Sequence, residues 1–340
     1  MSPDTTVQAT RWRAEQQALA ARAMLTADAL WRKVDPRRIQ ASWKAIAAQM
    51  TALLISAQQA SAEGAQAYVA AVVGELGGTS RPEGTLTPAA FAGWAADGRS
   101  LSSLLELPPI TALTEIAAGA PEDLALQRSR SQLMRIMSTE VADAGRSAVG
   151  ASITANRTCT GYVRVVSGGA CSRCIVLAGQ IYGSWTAFKR HPHCMCVHEP
   201  TIRGRKGATV NPDQYFRELS RAEQDRRFGR AGAQALRDGG DISAIVNARR
   251  RGAVYTADAY GRRVLATREG TTRRGSFYRQ ERDRTSARTG IRFARDRTEA
   301  RSGLPRFELR TPRLMPEEIY RLAENRAEAI AMLRRFGYIR

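Results

Sequence analysis

The chain has 340 residues, of which 43% are apolar and 25% are charged, and these values are close to the average for globular domains. They exclude a wholly disordered protein, a collagen-like fibre and a coiled-coil rod. The length predicts about two domains. No apolar run approaches the roughly 20 residues that span a bilayer, and no apolar core follows Arg11 and Arg13 as in a signal peptide. We therefore expect a protein made in the cytoplasm, without membrane association.

The chain is strongly basic, with 52 Lys and Arg residues against 32 Asp and Glu residues and a net charge of +20. Only four of the basic residues are lysines. A GC-rich genome explains that ratio but not the net charge. Residues 1–200 carry a net charge of +4 and residues 201–340 carry +16. Because a positive field attracts polyanions, this asymmetry predicts a scaffold half and a half that faces a polyanion.

The first 120 residues are rich in alanine and predict a helical region. Apolar residues at helical spacing over residues 5–76 indicate two long helices, separated at Asp35-Pro36. Thr87-Pro88 predicts the start of a short helix, and Pro108-Pro109 predicts a break. A third long helix is predicted over residues 122–153, with an apolar stripe at Leu126, Leu133, Ile136, Met137 and Val141. These stripes predict core packing, with docking onto partner helices in an assembly as the alternative.

Four of the five cysteines and all three histidines lie between residues 171 and 198, in the pattern C-x2-C-x16-H-x2-C-x-C. A C-x2-C pair points two thiolates at one ion, and a second ligand pair about 15–20 residues later closes a tetrahedral zinc site. The pattern predicts a structural Zn²⁺ site with five candidate ligands, one more than zinc needs: Cys171, Cys174, His191, Cys194 and Cys196. His193 and His198 are weaker candidates. Cys159 stands apart and is predicted to be a small buried hydrophobe.

Three other interpretations of the cluster stay open. Disulfides are rare in the cytoplasm, and a redox Cys-x-x-Cys needs a thioredoxin-like βαβ context, which the sequence does not show. A catalytic zinc needs an open coordination position and a nearby acid or base, for which Glu199 is the only close carboxylate. The sequence has no H-E-x-x-H, G-x-S-x-G or Walker motif. We therefore expect no enzymatic activity, although a lysine-dependent or acid mechanism stays open.

A longer pattern surrounds the cluster. A strand-like segment, Tyr162-Val-Arg-Val-Val166, precedes the C-x2-C pair. Gly179 follows that pair and precedes a predicted β-hairpin. The pattern ends with His-Pro-x-Cys-x-Cys after the hairpin. This arrangement resembles the core of the Mu F-like minor head proteins of phages. The resemblance covers roughly residues 120–200 and matches the family at Cys171, Cys174, Gly179, His191, Pro192, Cys194 and Cys196. Met195 departs from the family, which usually has Arg there. Segments of residues 228–250 and 313–339 resemble a subgroup of actinobacterial phage head proteins, some of them labelled capsid maturation proteases.

The C-terminal part is predicted in three segments. Residues 201–248 form a helical extension, in which Ser220 and Glu223 make a capping box. Residues 249–312 form an Arg-rich, partly extended linker that buries too little apolar surface to fold alone. We expect its arginines to contact DNA phosphates without reading sequence, or a scaffold, with a linker that only contacts solvent as the alternative. Residues 313–340 form one amphipathic helix.

The sequence as a whole predicts an α+β protein that is mostly α, with a helical region over residues 1–120 and a small zinc-stapled core with a β-hairpin over residues 121–200. The resemblance implies a structural minor capsid protein for head morphogenesis in a tailed phage or prophage. We expect it in the virion, at the head interior or portal region, and in the host cytoplasm during assembly. Its expected partners are portal or major capsid subunits, and DNA bound non-specifically through the basic half. The rivals are a capsid maturation protease and a zinc-containing nucleic-acid-binding protein.

Overall fold

The structure is a computed structural model that describes residues 5–166, 169–187, 190–204 and 211–339. The chain divides into two compact units. The first contains Met1–Ala170 and Leu177–Asn211, and the second contains Cys171–Val176 and Pro212–Arg340. The fold is α+β and mostly α, as predicted, with two small antiparallel sheets. Among the described residues, no helix has the length and apolar content needed to span a membrane.

The first unit begins with six α-helices and two short 3₁₀ turns. They are α1 (Val7–Trp31), a turn (Pro36–Arg38), α2 (Ile39–Ala62), α3 (Ala65–Glu75), a turn (Pro88–Phe91), α4 (Leu101–Leu105), α5 (Leu107–Ala117) and α6 (Glu122–Thr154). Residues 5–76 therefore form three helices and not the predicted two, because Glu63 leaves the helical conformation and Gly64 adopts a φ of 74°. The predicted break at Pro108-Pro109 lies two residues earlier, at Glu106, where α4 ends and α5 begins. Both prolines lie in the first turn of α5, where the missing N–H groups are not needed.

Helix α6 is the centre of the first unit and matches its prediction to within one residue. It packs against α1, α2, α3 and α5. Three residues of its predicted apolar stripe, Leu133, Met137 and Val141, are fully buried. This burial confirms that the stripe packs in the core of the unit.

Helices α1, α2 and α6 meet at a buried polar junction. Ser61 of α2 donates from its Oγ to the carbonyl oxygen of Val141 at 2.7 Å, and it lies 2.5 Å from Oε1 of Gln16 in α1. A Cβ atom on Gly145 of α6 would lie 2.5 Å from Ser61 Oγ and 2.6 Å from Gln16 Oε1. The three helices can approach this closely only because residue 145 has no side chain.

A three-stranded sheet completes the first unit. Its strands are β1 (Cys159–Val165), β2 (Ile181–Gly183) and β3 (Val197–Ile202), in the antiparallel order β2-β1-β3. The predicted strand at residues 162–166 is therefore confirmed as β1. The register pairs Val163 with both Ile181 and Glu199, and it pairs Arg164 with His198. This pairing places the middle of β1 next to the chain that follows the last two cysteines.

The second unit contains a second three-stranded sheet, in the order β4-β5-β6, and several short helices. Its elements are α7 (Ser172–Val176), α8 (Pro212–Glu218), α9 (Arg221–Phe228), α10 (Arg230–Arg237), α11 (Ile242–Ala248), β4 (Val254–Ala259), β5 (Arg262–Thr267), α12 (Ser276–Thr289), α13 (Arg297–Arg301), β6 (Arg313–Leu314), α14 (Pro316–Leu322) and α15 (Arg326–Arg335). The capping box predicted at Ser220 is present, since its side chain accepts a hydrogen bond from the backbone N–H of Glu223 at the start of α9.

Two predictions for the C-terminal part are wrong. Residues 249–312 are not an extended linker, because they contain β4, β5, α12 and α13. Phe277 of α12 is fully buried with its ring centroid 5.7 Å from that of Phe336, so this segment folds on a core supplied by residues far along the chain. The single helix predicted over residues 313–340 is two helices, α14 and α15. Asn325 separates them and caps α15 by accepting from the N–H of Glu328.

The end of the chain is held by a buried arginine. Arg313 of β6 is 2% exposed and donates to the carbonyl oxygens of Phe336, Glu269 and Gly337 at 2.8, 2.9 and 3.1 Å. Its guanidinium carbon lies 4.2 Å from the ring centroid of Tyr338. Burial lowers the pKa of Arg313 from its ordinary value. The arginine therefore acts as a structural crosslink of the second unit.

The junction at Gly145 gives the first prediction. Gly145→Ala should lower the free energy of unfolding of the first unit by about 1–3 kcal/mol, because the new methyl group overpacks the contact with α1 and α2. Urea denaturation followed by tryptophan fluorescence measures this unit alone, since all five tryptophans lie in it.

Gly150 of the same helix is the matched control. A Cβ atom there would meet only His198 Nδ1, at 3.9 Å. Gly150→Ala should therefore stabilise the unit by about 0.5–1 kcal/mol through its higher helix propensity. Equal effects of the two substitutions would show that the close approach at Gly145 has no energetic importance.

Candidate metal centre

The five predicted ligands come together in the structure as two overlapping groups. The potential ligand atoms of Cys171, Cys174 and His191 lie within 4.8 Å of one another, and so do the sulfur atoms of Cys174, Cys194 and Cys196. Cys174 belongs to both groups. Zn–S bonds of about 2.3 Å place the sulfur atoms of a tetrahedral site about 3.8 Å apart, so the observed spacing fits a metal ion after small side-chain movements. The cluster could therefore hold a metal.

Burial differs between the two groups. Cys174, Cys194 and Cys196 are almost completely buried, whereas Cys171 and His191 are partly exposed. None of the five cysteines, all of which the structure describes, forms a disulfide. The strand neighbours within the described residues are antiparallel, so the parallel βαβ context that a thioredoxin-like pair needs is not found there. The donor chemistry favours a metal centre over redox chemistry.

The other two histidines belong to neither group. His193 Nδ1 lies 2.7 Å from Ser138 Oγ, and its backbone N–H donates to Thr139 Oγ1 at 3.0 Å, so this residue attaches the ligand loop to α6. His198 stacks on Tyr162 with ring centroids 4.1 Å apart. Burial, aided by nearby arginines, lowers the pKa of His198 to about 3. Both histidines therefore support the loop and β3 in this structure.

The Ser138–His193 contact does not present a nucleophile. Ser138 is 1% exposed, and its hydroxyl also donates to the carbonyl oxygen of Arg135 at 3.2 Å. A peptide substrate cannot reach a hydroxyl at this depth. The pair therefore links α6 to the loop.

Cys159 lies outside both groups, as predicted, at the start of β1. The prediction that it is a buried hydrophobe is wrong in degree, because the residue is only partly buried. Burial nevertheless raises the pKa of its thiol to about 11. This residue is the natural control for experiments on the other four cysteines.

Two buried arginines hold the segment from Cys194 to Cys196, and the sequence analysis did not identify them. Arg146 of α6 donates from Nη1 to the carbonyl oxygens of Cys194 and Cys196 at 2.7 and 3.2 Å. Arg164 of β1 donates from Nη2 to the sulfur atoms of the same two cysteines at 3.5 and 3.7 Å. The only sequence signal for Arg164 is a charged residue within an apolar strand, and Arg146 has none.

These arginines suit a cluster of thiolate ligands. Positive charge beside sulfur favours the thiolate, which is the form that binds metal. A zinc ion with three or four thiolates carries a net negative charge, and burial of that charge is costly unless nearby donors offset it. Arg164 lies where it can do this, because it contacts both sulfur atoms from within the sheet. The donors and their surroundings therefore fit a thiolate-rich metal centre.

Asp143 extends the same network along α6. Its side chain forms ion pairs with Arg146, one turn further on, and with Arg190 at 2.6 Å. Arg190 immediately precedes His191. Helix α6 thus contacts both ends of the loop that carries the last three candidate ligands.

These features define an α-rich protein with small antiparallel sheets and a Cys/His cluster able to hold a metal. The model of the VG15 protein family matches residues 4–222. This match covers more than half of the chain, and the chain belongs to this family of phage proteins. The match includes all five candidate ligands and nearly all of the first unit. Neither the curated proteins nor the solved structures contain a match to the chain.

The network around Arg146 gives the second prediction. Arg146→Met should lower the free energy of unfolding of the first unit by about 3–5 kcal/mol, because it leaves two buried carbonyl oxygens and half of an ion-pair network without their donor. Urea denaturation followed by tryptophan fluorescence measures the loss.

Arg157→Met is the control, since this arginine pairs with Glu83 on the surface with its side chain 75% exposed. Its effect should stay below about 1 kcal/mol. If Arg146→Met is as mild as Arg157→Met, then Arg146 does not hold the cysteine segment.

Proposed function

We propose that this phage protein is a structural minor capsid protein that acts in head morphogenesis and whose fold is stapled by one zinc ion. The observation that carries the proposal is the convergence of all five predicted ligands in a chain of a phage family. The resemblance of the Cys/His pattern to that of Mu F-like minor head proteins supports the role in the head. The inaccessible Ser138 hydroxyl supports a structural role over a capsid maturation protease.

Zinc is the metal that the donor set favours. Thiolate and imidazole are soft or borderline ligands that select zinc over magnesium or calcium. Five donors within reach are enough to fill all four positions of a tetrahedral ion, as in structural sites. Bound there, zinc would fix the conformation of the 191–196 loop. Because metal binding is coupled to folding, the zinc would stabilise this loop in its folded form.

The partners follow from the distribution of charge and helices. The basic residues 201–340, with a net charge of +16, would bind packaged DNA through its phosphates. The helical first unit would bind portal or major capsid subunits. The chain would then reside in the virion, at the head interior or portal region, after assembly in the host cytoplasm.

The metal is tested by zinc content. Purified wild-type protein should contain one zinc per chain by mass spectrometry of the metal. The double variant Cys171→Ser, Cys174→Ser should lose it, because only three of the five donors then remain. With the ligands gone, the near-ultraviolet circular dichroism of the sheet and loop should weaken, and EDTA should have the same effect on the wild type.

Cys159→Ser is the matched control, since it removes a thiol outside both groups and should keep one zinc. A wild-type chain without metal, folded equally well with and without EDTA, would disprove the zinc staple. Retention of zinc in the double variant Cys171→Ser, Cys174→Ser would show that the metal binds elsewhere.

The role in the head is tested in a phage that carries this gene. Purified DNA-filled particles should contain the chain by protein mass spectrometry, and a phage encoding the double variant Cys171→Ser, Cys174→Ser should give fewer such particles. Absence of the chain from every particle would rule out a capsid protein. Accumulation of uncleaved capsid protein in the mutant would instead favour the protease.

A further inference from the structure

The second unit contains a small closed loop, residues 294–306, which we call the arginine loop. The backbone N–H of Ala294 donates to the carbonyl oxygen of Pro305 at 2.9 Å and closes its base. Helix α13 forms its tip. The loop contains Arg295, Arg297, Arg301 and Arg306, all of them exposed.

The loop is ordered from its base. Phe293 and Phe307 flank it and pack edge to face with ring centroids 5.4 Å apart. Tyr278 of α12 packs against Phe307 at 5.2 Å and donates from its hydroxyl to the carbonyl oxygen of Phe307 at 2.5 Å. These contacts attach the loop to α12, so the arginines at the tip are presented on a defined support.

The loop contains four arginines against two acidic residues, Asp296 and Glu299, and keeps a net positive charge. Asp296 caps α13 by accepting from the N–H groups of Thr298 and Glu299. Glu299 accepts from the N–H of Arg295 at 2.7 Å and pairs with Arg292 outside the loop. Of the carboxylates in the described part of the chain, none forms an ion pair with the side chain of any of the four loop arginines.

The stability of the second unit does not explain these side chains. Helix α13 has no buried residue, and the aromatic contacts that hold the loop lie at its base. Exposed arginines without a carboxylate partner contribute little to folding and repel one another. In the arginine loop, four such side chains lie within 13 residues on an ordered base, and this grouping favours a partner with negative charge.

The composition of the surface distinguishes between kinds of partner. Protein interfaces have an apolar core, whereas interfaces with DNA are more polar and strongly positive. The arginine loop has no large exposed apolar side chain among the described residues. Arginine forks also match phosphate oxygens. We infer that the arginine loop is a contact surface for the phosphate backbone of duplex DNA, an assignment that rests on the DNA-binding part of the proposed function.

The test is the salt dependence of DNA binding by the full chain. Fluorescence anisotropy with a labelled 30-base-pair duplex gives the slope of log Kobs against log [NaCl], and each phosphate that the protein neutralises adds about 0.9 to the steepness of that slope. The triple variant Arg297→Gln, Arg301→Gln, Arg306→Gln should therefore flatten the slope by about 2.7. Duplexes of two unrelated sequences should give the same result, because phosphate contacts do not read sequence.

The control removes the same charge from the first unit. Arg22, Arg37 and Arg38 are exposed and have no ion pair among the described residues, and their replacement by Gln should change the slope by less than about 0.9. Replacement of the three loop arginines by Lys should restore most of the slope, since lysine keeps the charge. Circular dichroism of every variant should match the wild type, because the altered side chains are exposed.

The outcomes separate the inference from the proposed function. No salt-dependent binding by the wild type would overturn both the DNA-binding part of the proposed function and the arginine loop. Binding by the wild type with equal slopes for the loop variant and the control would overturn the loop alone. If the triple variant kept the wild-type DNA slope but bound poly-L-glutamate more weakly than the wild type, the assignment of the arginine loop to DNA would be overturned in favour of an acidic protein partner.

Discussion

One turn of α6, from Asp143 to Arg146, connects the helical core of the first unit to the cysteine loop. Because Gly145 has no side chain, α1 and α2 come close enough for Gln16 and Ser61 to form a hydrogen bond. The flanking residues Asp143 and Arg146 bind the two ends of the loop that carries the last three candidate ligands. The same turn therefore needs glycine at position 145 for the close helix contact, and charged side chains at Asp143 and Arg146 for the contacts with the loop. A change that shifts the helix at Gly145 would also move the donors of Arg146.

Through this turn of α6, the conformation of the cysteine loop is coupled to the packing of the helical core. The sheet β2-β1-β3 has one three-residue edge strand, and on its own it would be marginal. It gains order from α6 through Arg146 and through the contact of His193 with Ser138. Arg164 adds positive charge from inside the sheet, next to two sulfur atoms. A metal ion would thus complete a site whose surroundings already hold two of its cysteines, which reduces the entropy cost of binding.

The sequence predicted best what depends on neighbours along the chain. The bounds of α6 follow from its apolar periodicity, and the proximity of the five candidate ligands follows from the spacing of the cysteines and His191. Arg146 could not be found this way, because its role depends on carbonyl groups 48 and 50 residues away. The failure over residues 249–312 has the same cause. Their average composition resembles a linker, but Phe277 gains its burial from Phe336, a contact that no local pattern reveals.

Arginine content alone cannot locate a surface that binds a polyanion. Arg313 is buried and donates to three carbonyl oxygens, Arg237 pairs with Asp225, and Arg249 pairs with Glu317. These residues add to the net charge of +16 but are occupied inside the second unit. The four arginines of residues 294–306 differ because they are exposed together on one loop and, within the described residues, form no ion pair. Attraction of a polyanion depends on charge that the fold leaves exposed, so the position of each arginine carries more information than their number.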